Sequence, residues 1–140
     1  MRPRVAVVGA GSFGRNHLRV VHQSGQAELS GVLDANPQRA AEAAQQFGCR
    51  IFRSLEEAAE NSDAAVVATP TTTHADVGCR LLDLGLDVLV EKPIAHSPEA
   101  GARLVETASP GSMPPLPAGF AERHTKDTAG SARDQDQCAC

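Results

Sequence analysis

Three glycines near the start of the chain have the residue type and the spacing of a phosphate-binding loop. Gly9, Gly11 and Gly14 directly follow an apolar run at residues 5–8. The first glycine permits a tight turn out of a strand, the second leaves room for a pyrophosphate, and the third lets the next helix pack close to the sheet. The positive end of that helix attracts phosphate. The spacing also occurs in unrelated turns, but a strand-like run before it and a helix-like stretch after it predict a dinucleotide site.

An acidic residue, Asp34, stands twenty residues beyond Gly14, at the end of a second apolar segment at residues 29–33. A carboxylate at the end of a second strand can accept hydrogen bonds from the adenosine ribose hydroxyls and repels a 2′-phosphate, so the sequence favours NAD over NADP. Arg39 is the residue that would meet a 2′-phosphate, but nothing offsets Asp34. The alternative interpretation is a turn or cap acid ahead of Pro37.

Hydroxyl side chains follow the apolar run at residues 64–68. Thr69, Pro70 and Thr72 lie in this segment, and its hydroxyls and loop amides could meet the ribose and phosphate oxygens of a cofactor. The alternative is an ordinary helix start with a threonine as N-cap. His74, taken alone, is typical of a surface or first-turn histidine.

A glutamate and a lysine, Glu91 and Lys92, directly follow another apolar run at residues 88–90. At the carboxyl end of a strand, the ammonium group would lie near the nicotinamide end of a cofactor cleft. There it could polarise a carbonyl or stabilise an alkoxide during hydride transfer. The alternative is an ion pair between these two neighbours.

Strand-like and helix-like segments alternate along the chain, which predicts an α/β fold: a doubly wound parallel Rossmann sheet in three α/β/α layers. The predicted strands are residues 5–8, 29–33, 51–52, 64–68 and 88–90. The predicted helices are residues 16–23, a helix from Pro37 closed by Gly48, a short one from Leu55, residues 73–84, and one from Pro98 capped by Ser97, with Ala100, Leu104 and Val105 on its apolar stripe.

Composition excludes several classes of protein. The chain has 140 residues, 41% of them apolar, and a formal net charge of −4, which suits one domain with a core and gives no basic face for nucleic acid. No apolar run reaches the length of a membrane helix, about 18 residues, so we expect a cytoplasmic protein. The four cysteines lack zinc spacing: Cys49 and Cys79 are expected to be buried thiols, Cys138 and Cys140 incidental, and no metal is predicted.

Four motifs in order resemble the N-terminal NAD(P)-binding domain of the Gfo/Idh/MocA family, named for glucose-fructose oxidoreductase and inositol dehydrogenase. They are residues 5–14, Asp34, residues 68–74 and residues 90–93, and the resemblance covers residues 4–108. It implies an NAD(P)-dependent oxidoreductase that transfers hydride between nicotinamide and a hydroxyl/carbonyl pair of a sugar, cyclitol or nucleotide sugar.

The same resemblance implies a role for each matching position. These are Gly9, Gly11, Ser12, Phe13 and Gly14 around the pyrophosphate, Asp34 on the adenosine ribose, Thr69, Pro70, Thr72 and His74 along the cofactor cleft, Glu91 beside the nicotinamide ribose, and Lys92 as the active-site lysine. In the intact family type, Lys92 would hold the substrate oxygen, and a residue of a second domain would shuttle the proton.

The end of the chain departs from the family pattern. We expect a Rossmann domain over residues 1–123, with its core in residues 1–108 and a sixth strand near Gly119, followed by a disordered polar tail at residues 124–140. We expect the family's C-terminal substrate domain to be missing from this chain, which would make it a truncated or frame-altered reading frame or an excised fragment. Three interpretations follow: an oxidoreductase, a nucleotide-binding module without turnover, or a non-functional fragment whose exposed apolar surface leads to aggregation. The expected protein partner is a second copy of this chain in a homo-oligomer, or a separate chain that supplies the missing domain.

Overall fold

The computed structural model describes residues 1–108 and contains a five-stranded parallel sheet. The strands are β1 (Arg4–Val8), β2 (Glu28–Leu33), β3 (Arg50–Ile51), β4 (Ala64–Val67) and β5 (Asp87–Val90). Their spatial order is β3-β2-β1-β4-β5, and every neighbouring pair is parallel. This is the strand order of a Rossmann sheet, whose direction of winding reverses between β1 and β4. The predicted fold class is confirmed.

Helices connect the strands, and short polar residues mark several of their starts. They are α1 (Ser12–Gln23), α2 (Pro37–Phe47), α3 (Leu55–Glu60), α4 (His74–Asp83), preceded by a 3₁₀ turn (Thr71–Thr73), and α5 (Pro98–Thr107). The side chains of Asn36, Ser54 and Ser97 each accept a hydrogen bond from first-turn backbone amides. Gly48 ends α2 in the left-handed conformation, with φ of 63°.

The two faces of the sheet carry separate apolar cores because successive residues of a strand point to opposite faces. On one face Val8 and Val67 pack with Leu81 of α4. On the other face Val7 and Val66 pack with residues of α1 and α2. The central strands β1 and β4 are therefore buried on both sides, and helices lie on each face of the sheet.

Two predictions about local packing are corrected. Val105 was expected on the apolar stripe of α5, but its side chain is 68% exposed, whereas Leu104 is 4% exposed. Helix α5 packs on α4 with Leu104 against Gly78, and the next residue points about 100° away around the helix. Cys49 and Cys79 are half-buried rather than buried, and partial burial raises the pKa of Cys49.

Some segment ends also differ from the prediction. Helix α1 begins at Ser12, four residues before the predicted start. Phe52 follows β3 instead of ending it, and its ring packs closely over Gly31. Within residues 1–108 no helix is long and apolar enough to cross a membrane. The predicted sixth strand, the tail and both C-terminal cysteines lie outside the described residues.

Candidate dinucleotide-binding site

The first glycine of the loop lies where the carboxyl ends of three strands converge. Gly9 has φ of 102°, a region that favours glycine, and its N–H donates to the carbonyl oxygen of Leu33 at 2.7 Å. A Cβ added at Gly9 would lie 2.5 Å from the carbonyl oxygen of Ala68. Two features therefore require glycine in this predicted tight turn: the positive φ and the close approach of the backbone that follows β4.

The other two glycines of the loop have opposite surroundings. A Cβ added at Gly14 would lie 1.7 Å from the carbonyl oxygen of Gly9, so α1 packs against the turn at a distance that only glycine permits. A Cβ added at Gly11 would meet no chain atom within 4 Å. The space beside Gly11 is open, and the first turn of α1 holds no acidic residue. This is the arrangement that close approach of a phosphate needs.

The carboxylate of Asp34 is 7% exposed and ties the two loops together. One oxygen accepts the N–H of Ala10 at 2.7 Å, and the other accepts the N–H of Asn36 at 2.7 Å. The guanidinium of Arg39 lies 3.5 Å from the latter oxygen. Asp34 therefore shapes a turn, as the alternative interpretation held, and it also holds the glycine loop from the end of β2.

A cleft of about 680 Å³ opens at the carboxyl ends of β1, β2 and β4. Seven of the predicted cofactor-binding residues line it: Gly9, Gly11, Ser12, Phe13, Asp34, Thr69 and Pro70. Eight further residues complete the wall: Val8, Leu33, Ala35, Arg39, Leu55, Ala68, Thr73 and Val77. The cleft thus lies at the point where the strand order reverses, which is where doubly wound sheets bind ligands.

The loop after β4 is braced by hydroxyl groups. Thr73 stands at the N-cap of α4 without capping it through its side chain. Instead its hydroxyl oxygen lies 2.8 Å from that of Thr69 and 2.7 Å from the carbonyl oxygen of Pro70. Both oxygens are within reach of the Thr73 hydroxyl as donor, and its single proton bonds one of them at a time. Thr72 is exposed and does not line the cleft.

His74 is 1% exposed and lies outside the wall of the cleft. Its Nδ1 is 2.9 Å from the carbonyl oxygen of Pro93, and its Nε2 is 2.8 Å from that of Thr69. Both partners only accept hydrogen bonds, so a neutral ring satisfies one of them and an imidazolium satisfies both. The ring links the loop after β4 to the loop after β5.

Glu91 is the first residue after β5, and its N–H donates to the carbonyl oxygen of Val67 at 2.9 Å. One carboxylate oxygen lies 2.5 Å from Nε2 of His17 in α1, and the other accepts the backbone N–H of Lys92 at 3.1 Å. The hydrogen bond from His17, and after it the one from Lys92, lowers the pKa of Glu91 below its ordinary value. Lys92 itself is exposed, and neither Glu91 nor Lys92 lines the cleft.

Comparison with known proteins assigns this geometry to a family. The sequence profile of the oxidoreductase family with an NAD-binding Rossmann fold, Gfo/Idh/MocA, matches residues 3–112. The chain belongs to this family. An inositol 2-dehydrogenase of Corynebacterium glutamicum (strain R) is 35% identical over an alignment of 124 residues that covers 86% of this chain and 37% of the relative.

Solved structures of two dehydrogenases are similar to this chain. The UDP-N-acetylglucosamine 3-dehydrogenase GnnA from Acidithiobacillus ferrooxidans superimposes with a TM-score of 0.73 at 34% identity, over 77% of this chain and 35% of that one. The WlbA dehydrogenase from Bordetella pertussis, solved with NADH and UDP-GlcNAcA, gives a TM-score of 0.72 at 34% identity, over 76% and 33%. The chain therefore spans about a third of the length of these similar proteins.

His17 is a residue of this Gfo/Idh/MocA domain that sequence reasoning missed. It lies three residues after Gly14, so both stand on the face of α1 that packs toward the sheet. That spacing was the available signal, because it places a polar ring on the same face of α1 as a close-packed glycine. Its partner, Glu91, is 74 residues away in sequence.

The lowered pKa of Glu91 has a consequence for stability. A carboxyl whose pKa is lower in the folded than in the unfolded chain stabilises the fold above the unfolded pKa, about 4.3, and loses this contribution as pH falls through the folded pKa. We therefore expect Glu91→Gln to lower the free energy of unfolding at pH 7, and the difference from the original chain to shrink below pH 4. Urea unfolding at pH 7 and pH 3.5 measures this, and a difference independent of pH would contradict it.

Proposed function

We propose that this chain is the dinucleotide-binding part of an NAD-dependent dehydrogenase. The reaction is hydride transfer between nicotinamide and a hydroxyl/carbonyl carbon of a sugar, cyclitol or nucleotide sugar. One observation carries the proposal: the glycine loop, Asp34 and the Thr69-Pro70 segment form one cleft at the reversal point of the sheet. The proposed domain spans residues 1–123, with its core in residues 1–108.

The residues of the cleft fit a dinucleotide. Its volume lies within the range of ligand sites in proteins, about 300–1,000 Å³. The open space at Gly11 and the unpaired first-turn amides of α1 suit the pyrophosphate, with Ser12 and Phe13 beside it. Asp34 suits the adenosine ribose, and its negative charge supports NAD over NADP.

The polar residues after β4 and β5 suit the nicotinamide end. Thr69 and Pro70 line the cleft, and Thr72 lies in the same loop. The buried His74 ring contacts the carbonyl oxygen of Thr69 and so supports this loop. Glu91 is proposed beside the nicotinamide ribose, and Lys92 is proposed to bind the substrate oxygen through its ammonium group. When bound, NAD supplies the hydride acceptor, and NADH the donor, at the nicotinamide ring.

A second candidate is a nucleotide-binding module without turnover. It is supported by the position of Lys92, which is exposed and outside the wall of the cleft. In this case the dinucleotide binds at the same residues, but no substrate is held against it. Binding of NADH together with NAD-dependent oxidation of a cyclitol or sugar favours the first candidate, and binding alone favours the second.

The test of the cofactor site is a titration of the 140-residue chain with NADH. The chain contains neither tryptophan nor tyrosine, so the emission and anisotropy of NADH are read without overlap. Gly11→Ala is expected to weaken binding about tenfold, because the methyl group occupies the space meant for the pyrophosphate. Its φ of −73° suits alanine, and the poorer N-cap lowers the stability by less than about 1 kcal/mol.

Gly25→Ala is the matched control, since a Cβ at Gly25 also meets no chain atom within 4 Å but lies at the far end of α1. It is expected to bind NADH like the original chain. A folded chain that fails to bind NADH, shown by circular dichroism in the same sample, would overturn the proposed function. If Gly11→Ala binds NADH as tightly as the original chain, the pyrophosphate does not lie against this loop.

A further inference from the structure

Glu91 and Lys92 are sequence neighbours of opposite charge, yet their side chains do not pair. Among the described residues 1–108, the Glu91 carboxylate makes its ion-pair contact, at less than 4.0 Å, with His17. The second oxygen of Glu91 bonds the backbone N–H of Lys92, not its ammonium group. The ion pair between these neighbours, which was the alternative interpretation, is therefore not formed, and Glu91 contacts α1 instead.

The position of His17 is fixed by its helix. Gly14 places the first turns of α1 against the turn after β1, and Leu18, the residue after His17, is fully buried in the core. The His17 and Glu91 side chains are only 26% and 21% exposed, which protects their hydrogen bond from water. Because an ionised carboxylate only accepts, Nε2 of His17 carries the proton.

The loop after β5 is held on both sides of Lys92. His17 holds the Glu91 side chain from α1, and His74 holds the carbonyl oxygen of Pro93 from α4. The Lys92 side chain is exposed between these two points. The backbone at Lys92 is thus fixed while its ammonium group stays at the surface.

We propose that His17 is a positioning residue that holds the Glu91 carboxylate against α1 and so keeps the Lys92 ammonium free for an electron-rich oxygen of a bound ligand. Without the donor of His17, the carboxylate is free to pair with the ammonium group of the next residue. A paired ammonium is a weaker partner for a carbonyl or alkoxide oxygen because its charge is already satisfied. The proposal rests on the proposed function for the use of Lys92, but not for the contact itself.

The test measures the reactivity of Lys92 without any dinucleotide or substrate. The chain contains two lysines, Lys92 and Lys126, so brief acetylation with acetic anhydride followed by mass spectrometry gives the rate at each. Lys126 and the N-terminal amine are the internal references. His17→Phe keeps an aromatic ring without a donor, and we expect it to lower the relative rate at Lys92 about two- to fivefold, the range of an exposed ion pair.

Two further variants separate positioning from a general structural effect. His17→Gln retains an N–H donor and is expected to keep the relative rate within about twofold of the original chain. Adding Glu91→Gln to His17→Phe removes the carboxylate and is expected to restore the rate. Circular dichroism confirms that each variant is folded.

Glu91→Gln alone tests the proposal even if His17→Phe does not fold. With His17 present the carboxylate is already held away, so the rate at Lys92 is expected to change less than about twofold. Two results would overturn the proposal. One is a rise of about two- to fivefold in the acetylation rate at Lys92 in Glu91→Gln, and the other is an unchanged rate in folded His17→Phe. If the original chain does not bind NADH, the proposed function is contradicted. The acetylation rates at Lys92 still test the contact between His17 and Glu91 in that case.

Discussion

Replacing Gly14 with alanine is expected to lower the free energy of unfolding by at least about 3 kcal/mol, or to prevent folding. The new Cβ would lie 1.7 Å from the carbonyl oxygen of Gly9, which is shorter than the contact distance of any two non-bonded heavy atoms. The atom that must move is backbone, and Gly9 is itself held by its hydrogen bond to Leu33 and by the backbone of Ala68. Helix α1 must therefore separate from the sheet. Urea unfolding followed by circular dichroism measures the loss.

Gly25→Ala is the control for this prediction too. It changes the same residue type to the same new side chain where a Cβ meets no chain atom within 4 Å. We expect its stability to differ from that of the original chain by less than about 1 kcal/mol. If Gly14→Ala is as stable as Gly25→Ala, the close contact between α1 and the turn after β1 does not exist in solution.

Much of the cleft was predictable because its determinants are local in sequence. The roles of Gly9 and Gly14 depend on a turn and a helix that follow each other directly, so the spacing of the glycines specifies them. The position of Asp34 was predictable for the same reason, because it lies at the end of the next predicted strand. In the structure Gly9 and Asp34 line the cleft at the strand ends, and Gly14 packs against Gly9 behind it.

The contacts that were missed join residues far apart in the chain. His17 and Glu91 are 74 residues apart, and His74 bonds Pro93 across 19 residues. Each contact depends on how closely a helix approaches a strand end, which is decided by tertiary packing rather than by local pattern. The exposure of Val105 has the same origin, since helical spacing alone does not show which residues of α5 the contact with α4 covers.

The alternatives left open by the sequence prove to be compatible with a site. Thr73 occupies the N-cap position of α4, as in any helix start, yet its hydroxyl bonds Thr69 and Pro70, two residues of the cleft wall. Asp34 bonds the turn at Asn36 and also the glycine loop at Ala10. One side chain that supports a turn therefore also shapes the binding surface.

Asp34→Ala is expected to weaken NADH binding at least about 30-fold and to abolish any preference over NADPH. The carboxylate makes two charge-assisted hydrogen bonds of 2.7 Å to backbone amides, each worth about 1.5–3 kcal/mol, and one of them orients the glycine loop. A loss of about 2 kcal/mol in binding corresponds to the expected change in Kd. Removing the charge also frees the guanidinium of Arg39, now 3.5 Å from Asp34, for a 2′-phosphate.

The matched control for Asp34→Ala is Asp63→Ala, because Asp63 also accepts hydrogen bonds from a backbone amide and a guanidinium, both of Arg4, at the opposite end of β1. It is expected to leave the Kd for NADH and the preference over NADPH unchanged. Titrations of both variants with NADH and NADPH, at one ionic strength, give the four affinities. Equal weakening by the two substitutions would show a general loss of structure, and a retained preference for NADH in Asp34→Ala would mean that another residue selects the cofactor.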